Sequence, residues 1–170
     1  MPEATQPDPM LGEAAHLLST TRRGSLASRL AREDQPGLPK AFPYVSLVLL
    51  APDERGLPFL LLSDLSEHAQ NLKADPAMAL LLEQTGAARD PLAEPRLTLM
   101  AEAAPVEEDA AAADLKTRFV AAHPSAKVWA GFADFRPYRL AWRGAHFVAG
   151  FGRIAWLPLA ELEGYLQAAS

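Results

Sequence analysis

Apolar residues at helical spacing open the chain: Met10, Leu11, Ala14, Leu17 and Leu18 follow Asp8 and Pro9. A capping carboxylate with proline at the first helical position predicts a helix from there to about Arg22. "GSLAS" at 24–28 is expected as a first strand, and the proline- and glycine-bearing "REDQPGLPKAFP" at 32–43 as a loop. "YVSLVLLA" at 44–51 and "LPFLLLS" at 57–63 flank the turn "PDERG", the pattern of an antiparallel hairpin. Polar residues then cut the apolar run at Ser63, Asp64, Ser66, Glu67 and His68. Asp64 with Glu67, or Ser66 alone, can cap a short helix that Asp75-Pro76 must end near Ala74, because a residue before proline leaves the helical region.

"AMALLLE" at 77–83 reads as a strand, and so does "RLTLMAEAAPV" at 96–106, where Leu97, Leu99 and Ala101 alternate with Thr98, Met100 and Glu102. The segment 107–123 reads as a helix with an acidic start. Two aromatic-rich strands are expected at 136–144 and 145–156, around a turn at Arg143-Gly144, before a terminal helix at 158–169. Six or seven strands with short helices between them favour a mainly β fold with α (α+β), a six-stranded antiparallel split β-barrel with peripheral helices, over a doubly wound sheet. One domain over 1–170 is expected, with 1–7 loose.

Composition narrows the function. The 170 residues hold no cysteine, which removes thiolate chemistry, disulfides and cysteine-bound metals and favours a cytoplasmic home. A net charge of −5 argues against nucleic acid as partner, since phosphate binding needs a basic face. No apolar run reaches the ~20 residues of a spanning helix, so no membrane role is expected. His16, His68, His123 and His146 have no metal-site spacing, so no metal is expected.

Ser63, Asp64 and Ser66 lie where a strand gives way to a helix start, and free backbone N–H groups beside serine hydroxyls suit a phosphate. The competing reading is plain capping of a connecting helix. Trp129 and Phe132 belong to a dense aromatic stretch that suits either a flat cofactor ring or a packed core. Arg23 and Arg96 are candidate anion partners, with solvated surface charge as the alternative. A triad assembled from Asp64, Ser66 and His68 would use near neighbours, which rarely supply triad geometry, and no catalytic residue is assigned.

In order along the chain, "GSLAS", "YVSLVLLA", "FLLLSDLSEHAQNLKADPAMALLL", "DPLAEPRLTLMAEA" and "HPSAKVWAGFADFRPYRLAWRGAHFVAGFGRIAWL" resemble the FMN-binding split-barrel, or pyridoxamine 5'-phosphate oxidase-like, family. "SDLSEHAQNL", "HPSA", "GFADF" and "AHFVAGFGR" are similar to its haem-utilisation, HugZ-type branch. The resemblance implies a homodimer with a cofactor groove between subunits, and an FMN-dependent oxidoreductase acting on a small-molecule substrate. It places Ser63, Ser66 and His68 at the flavin phosphate. Ser46 and Ala51 stand where the oxidases carry arginine and lysine, and Glu67 takes an adjacent basic position. Two alternatives stand beside flavin: a haem-binding protein, with His68 or His123 serving the haem, and a cofactor-free binding module.

Overall fold

Asp53 fixes the first corner of the sheet. Its Oδ1 accepts the N–H groups of Arg55 and Leu57, each at 2.9 Å, and its Oδ2 accepts from Arg139 Nη1 at 2.8 Å. Those partners compensate a carboxylate that is almost wholly buried. The turn joins strands β2 (Pro43–Pro52) and β3 (Pro58–Ser63), paired antiparallel as the hairpin pattern predicts. The computed structural model describes residues 8–32, 37–84, 86 and 90–168. Residues 1–7, expected to be loose, lie outside the described residues.

Helix α1 (Pro9–Thr20) starts as the sequence indicates, with Asp8 accepting the N–H of Met10 at 2.9 Å and Pro9 in the first turn. It ends two residues short of Arg22, whose Nη1 donates instead to the carbonyls of Ser19 and Thr21. Next come β1 (Arg23–Arg29), α2 (Glu67–Ala74), β4 (Ala77–Glu83) and β5 (Arg96–Pro105). Helix α3 (Asp109–Ala122), β6 (Phe135–Val148), β7 (Ile154–Trp156) and α4 (Leu159–Ala168) complete the order. The sheet runs β3-β2-β1-β4-β5-β6-β7, and β3 also pairs with β6, closing a six-stranded antiparallel barrel with β7 as an appended edge. This is the expected split-barrel architecture.

The sequence places a turn at Arg143-Gly144, and there the structure differs. Strand β6 runs unbroken for 14 residues. The register slips where Met100 pairs with Gly144 but Ala101 pairs with Trp142, leaving Arg143 as the extra residue of a β-bulge. The bulge reverses the phase of the alternation, which in one dimension resembles a strand end. The real turn lies beyond it, between β6 and β7, where Gly150 and Gly152 take φ of +110° and +77°.

The barrel interior is filled by Leu26, Leu60, Leu80, Leu97, Leu99, Tyr138 and Phe147, none more than 1% exposed, and α1 and α4 cover it at one end. A second cluster sits under α3, where Phe59, Leu61, Leu115 and Phe119 pack together. Strand β3 is buried on both sides because it lies between the two clusters, which accounts for its continuous apolar run.

Candidate functional site

The polar knot is where the sequence puts the phosphate, and its hydroxyls are already engaged. Ser63 Oγ donates to Asp134 Oδ2 at 2.5 Å and accepts the N–H of Leu65 at 3.2 Å. Ser66 caps α2, donating to the Ser63 carbonyl at 2.7 Å and accepting the N–H of Ala69 at 3.3 Å. The nearby cations are also committed, since Lys73 Nζ and Arg136 Nε each lie 3.1 Å from Asp64 Oδ1. With Asp64 and Asp134 on either side of Ser63, a phosphate dianion would meet two carboxylates and serines that have no free hydroxyl hydrogen. In this arrangement both serine hydroxyls serve the strand-to-helix turn.

His68 faces inward from α2. Its Nδ1 lies 3.1 Å from Ser46 Oγ, and burial pushes its imidazole below its ordinary pKa. One turn on, Asn71 Nδ2 donates to Ser28 Oγ at 3.1 Å, while Asn71 Oδ1 accepts the N–H of Ala31 at 2.8 Å. These two polar contacts dock α2 on β2 and β1. Beside His68, Glu67 pairs with Arg32 at 3.2 Å.

The remaining candidates are dispersed. Exposed Arg23 lines a cleft of about 360 Å³ with His16 and Glu83. Arg96 Nη1 donates to the Leu92 carbonyl at 3.0 Å, tying down the loop before β5. Trp129 packs within the second core, with its ring 4.7 Å from Phe135 and 5.9 Å from Phe119, whereas Phe132 is exposed. His123 Nε2 lies 2.8 Å from the Leu50 carbonyl oxygen, with its ring against Phe119. Among the described residues no hydrogen bond or ion pair joins Arg23 or Arg96 to Ser63, Ser66 or His68.

A different surface stands out, the outer face of the sheet. Strand pairing lines up Val45, Ala27, Ala79, Met100 and Gly144 in one row across β2, β1, β4, β5 and β6. The next row is Leu47, Ser25, Leu81, Thr98, His146 and Trp156. Val45, Leu47, Leu81, Ile154 and Trp156 are all exposed on this face, with Leu47 at 68% and Trp156 at 67%. Exposed apolar side chains on β2, β4 and β7 thus share one face, with half-buried Ala27, Ala79 and Met100 between them, the arrangement of an interaction surface rather than of singly scattered residues. His146 stands within it, its ring 5.0 Å from that of Trp156. His16 lies on α1, while His68 and His123 are engaged elsewhere, so His146 is the histidine of this face.

The sequence pattern concealed this surface. In "YVSLVLLA" apolar residues occupy both phases of the strand, so Val45 and Leu47 look like core. The one local hint in the sequence is that polar His146 alternates with apolar Ala145 and Phe147, both of which are core residues.

The profile of the CREG beta-barrel family matches residues 12–167. Among curated proteins, the chain is 33% identical over 133 residues to the chloroplastic non-canonical heme oxygenase HOZ of Arabidopsis thaliana. That match takes in 78% of this chain and 39% of the oxygenase, so the chain spans about two fifths of its relative's length. Among solved structures, a heme binding protein from Mycobacterium smegmatis superposes with a TM-score of 0.78 at 28% identity, over 92% of this chain and 61% of that one. HutZ, the haem storage protein of Vibrio cholerae, shares the fold with a TM-score of 0.58 at 23% identity, over 80% of this chain and 92% of its own.

Proposed function

The chain belongs to the CREG beta-barrel family, and from that premise we propose that it is a haem-binding protein in which two copies meet across the outer sheet face. The observation that carries the reading is the set of exposed apolar side chains on that face, Val45, Leu47, Leu81 and Ile154, with His146 and Trp156 side by side among them. A porphyrin needs apolar area and stacking rings around it, and a histidine offers its iron an axial nitrogen. A second copy would bury the exposed leucines and shield the porphyrin from water. The haem-named relatives support the choice of ligand.

The flavin reading, with the oxidoreductase activity attached to it, rests on the motif resemblance. Its weight falls because the Ser63 and Ser66 hydroxyls are engaged in the strand-to-helix turn. The cofactor-free reading is tested by the same experiment as the haem reading.

That experiment titrates the purified chain with haemin while following the Soret band, with FMN in a parallel series and sedimentation before and after. A saturable, shifted Soret band at one haem or fewer per chain, from a two-chain particle, is the expected result. A Soret band that stays that of free haemin would overturn the proposal, and an FMN-only response would restore the flavin reading.

A further inference from the structure

Where α1 runs out, a polar cleft of about 360 Å³ opens between its last turn, the start of β1 and the end of β4. His16 and Thr20 line it from the helix, Arg22 and Arg23 from the start of β1, and Glu83 and Gln84 from β4. The volume lies in the range of small-molecule sites, and the lining is polar apart from Leu17. The sheet register accounts for the opening. β1 and β4 pair as far as Ser25 opposite Leu81, and continuing that register sets Arg23 opposite Glu83. Gly24 keeps the two strands close up to that point, since a Cβ there would stand 2.9 Å from the Leu81 carbonyl oxygen. Beyond it the pairing stops and the cleft begins.

Opposite charges set across neighbouring strands attract each other. Elsewhere on this protein arginine meets carboxylate, as at Arg136 with Asp64, Arg139 with Asp53 and Arg153 with Glu13. In the cleft it does not: among the described residues no hydrogen bond or ion pair engages the side chain of Arg23 or of Glu83. Arg22 is half-buried, and its Nη1 donates to the carbonyls of Ser19 at 2.7 Å and Thr21 at 3.2 Å. Those bonds hold the guanidinium against the wall and cover carbonyls at the negative end of α1, which would otherwise repel an anion. The remaining donors of Arg22, on Nε and Nη2, have no partner among the described residues. The cleft thus presents two guanidiniums against one carboxylate, with most of their capacity unused.

We propose that this cleft binds an acidic α-amino acid, with its two carboxylates taken by Arg22 and Arg23 and its ammonium by Glu83. Charge complementarity selects the occupant. A guanidinium fork matches a carboxylate in shape and charge, and Glu83 gives the ammonium its counterion. Inorganic phosphate would meet Glu83 as a like charge, and a simple amine would meet two cations. A dicarboxylate without an amino group would leave Glu83 unanswered. The proposal is independent of the haem reading, and neither stands or falls with the other.

The test is calorimetric titration of the full chain with L-glutamate, L-aspartate, glutarate and inorganic phosphate, repeated on R23Q and E83Q. Both substitutions fall on exposed side chains, and circular dichroism checks that folding is retained. Saturable binding of an amino acid is expected, with glutarate and phosphate about tenfold weaker or more. R23Q should lower the amino-acid affinity by about tenfold or more, and E83Q should remove the preference for L-glutamate over glutarate. That change of preference is a readout that a merely structural role for Glu83 would not move, and it decides the matter alone if R23Q does not fold. Absence of saturable heat with either amino acid overturns the proposal, and so does a preference that E83Q leaves unchanged. Phosphate binding more tightly than both amino acids would assign the cleft to a simple oxyanion and overturn the amino-acid class.

Discussion

Met100 lies across Gly144 so closely that a Cβ on the glycine would stand 2.9 Å from Met100 Cε and 3.4 Å from Trp156 Cζ3. The obstructing group is the free end of a flexible side chain, which can swing aside. Gly24 is tighter: a Cβ there would meet Leu82 Cδ2 at 2.7 Å and the Leu81 carbonyl oxygen at 2.9 Å, and backbone cannot yield. Gly144→Ala should therefore cost less than about 1 kcal/mol and Gly24→Ala about 1–3 kcal/mol, read from urea midpoints. Equal losses would mean that β1 and β4 are not held at this spacing.

Leu47 and Leu81 share a row on the outer face, and a charge in that row would be buried unpaired if two copies meet there. Leu47→Glu and Leu81→Glu should each give a single-chain mass in sedimentation, with circular dichroism unchanged. A two-chain particle that survives both substitutions would place the subunit contact on another surface.

Ser63 and Asp134 form a short hydrogen bond to a carboxylate, the stronger kind. Ser63→Ala should lower stability by about 1.5–3 kcal/mol and leave the response of FMN fluorescence to added protein as it is in the natural chain. A serine that gripped the flavin phosphate would give the reverse pattern, with FMN affinity lost and stability retained.

Because burial holds His68 below the ordinary imidazole pKa, the unfolded chain takes up a proton at this site at a higher pH than the folded chain does. Stability from this group is therefore complete at neutral pH and falls as the pH drops through about 6.5 toward the folded value. Urea unfolding between pH 5 and 8 should show this slope, and His68→Gln should flatten it while keeping a partner for Ser46. A slope unchanged by the substitution would assign it to other groups.

Asp53 satisfies two backbone donors and one arginine from a buried position. Asp53→Ala should cost about 2–4 kcal/mol in urea unfolding, since the N–H groups of Arg55 and Leu57 lose their acceptor and Arg139 its buried partner. A loss below ~1 kcal/mol would show that the turn holds without the carboxylate.

Local rules made much of the barrel readable. Asp8-Pro9, the Ser66 cap, Asp75-Pro76 and the "PDERG" turn each act within a few residues, and each marks an element boundary in the structure. The outer face was not readable, because an apolar residue that awaits a partner looks the same in one dimension as one that has found the core. Val45 and Leu47 read like Val48 and Leu50, although only the latter two are buried. Arg143 was misplaced for a related reason: a bulge and a turn both interrupt the two-residue period, and only the pairing with β5 distinguishes them. Of the candidate site, Ser63 and Ser66 stand at the junction of strand and helix as the sequence indicates, but the engagement of Ser63 with Asp134 depends on a residue 71 positions away in sequence.

The bulge at Arg143 also bears on how the chain finds its alignment. A regular strand can slide along its neighbour by two residues and keep every side chain on its proper face, so β5 and β6, paired from Arg96 to Pro105, would otherwise have several near-equivalent settings. A single extra residue at a fixed point removes that freedom, because any slide would set the kink of one strand against a straight stretch of the other. Arg143 thus works as the locating pin of the barrel's longest seam, and lengthening either strand on one side of it should be tolerated far better than moving the pin itself.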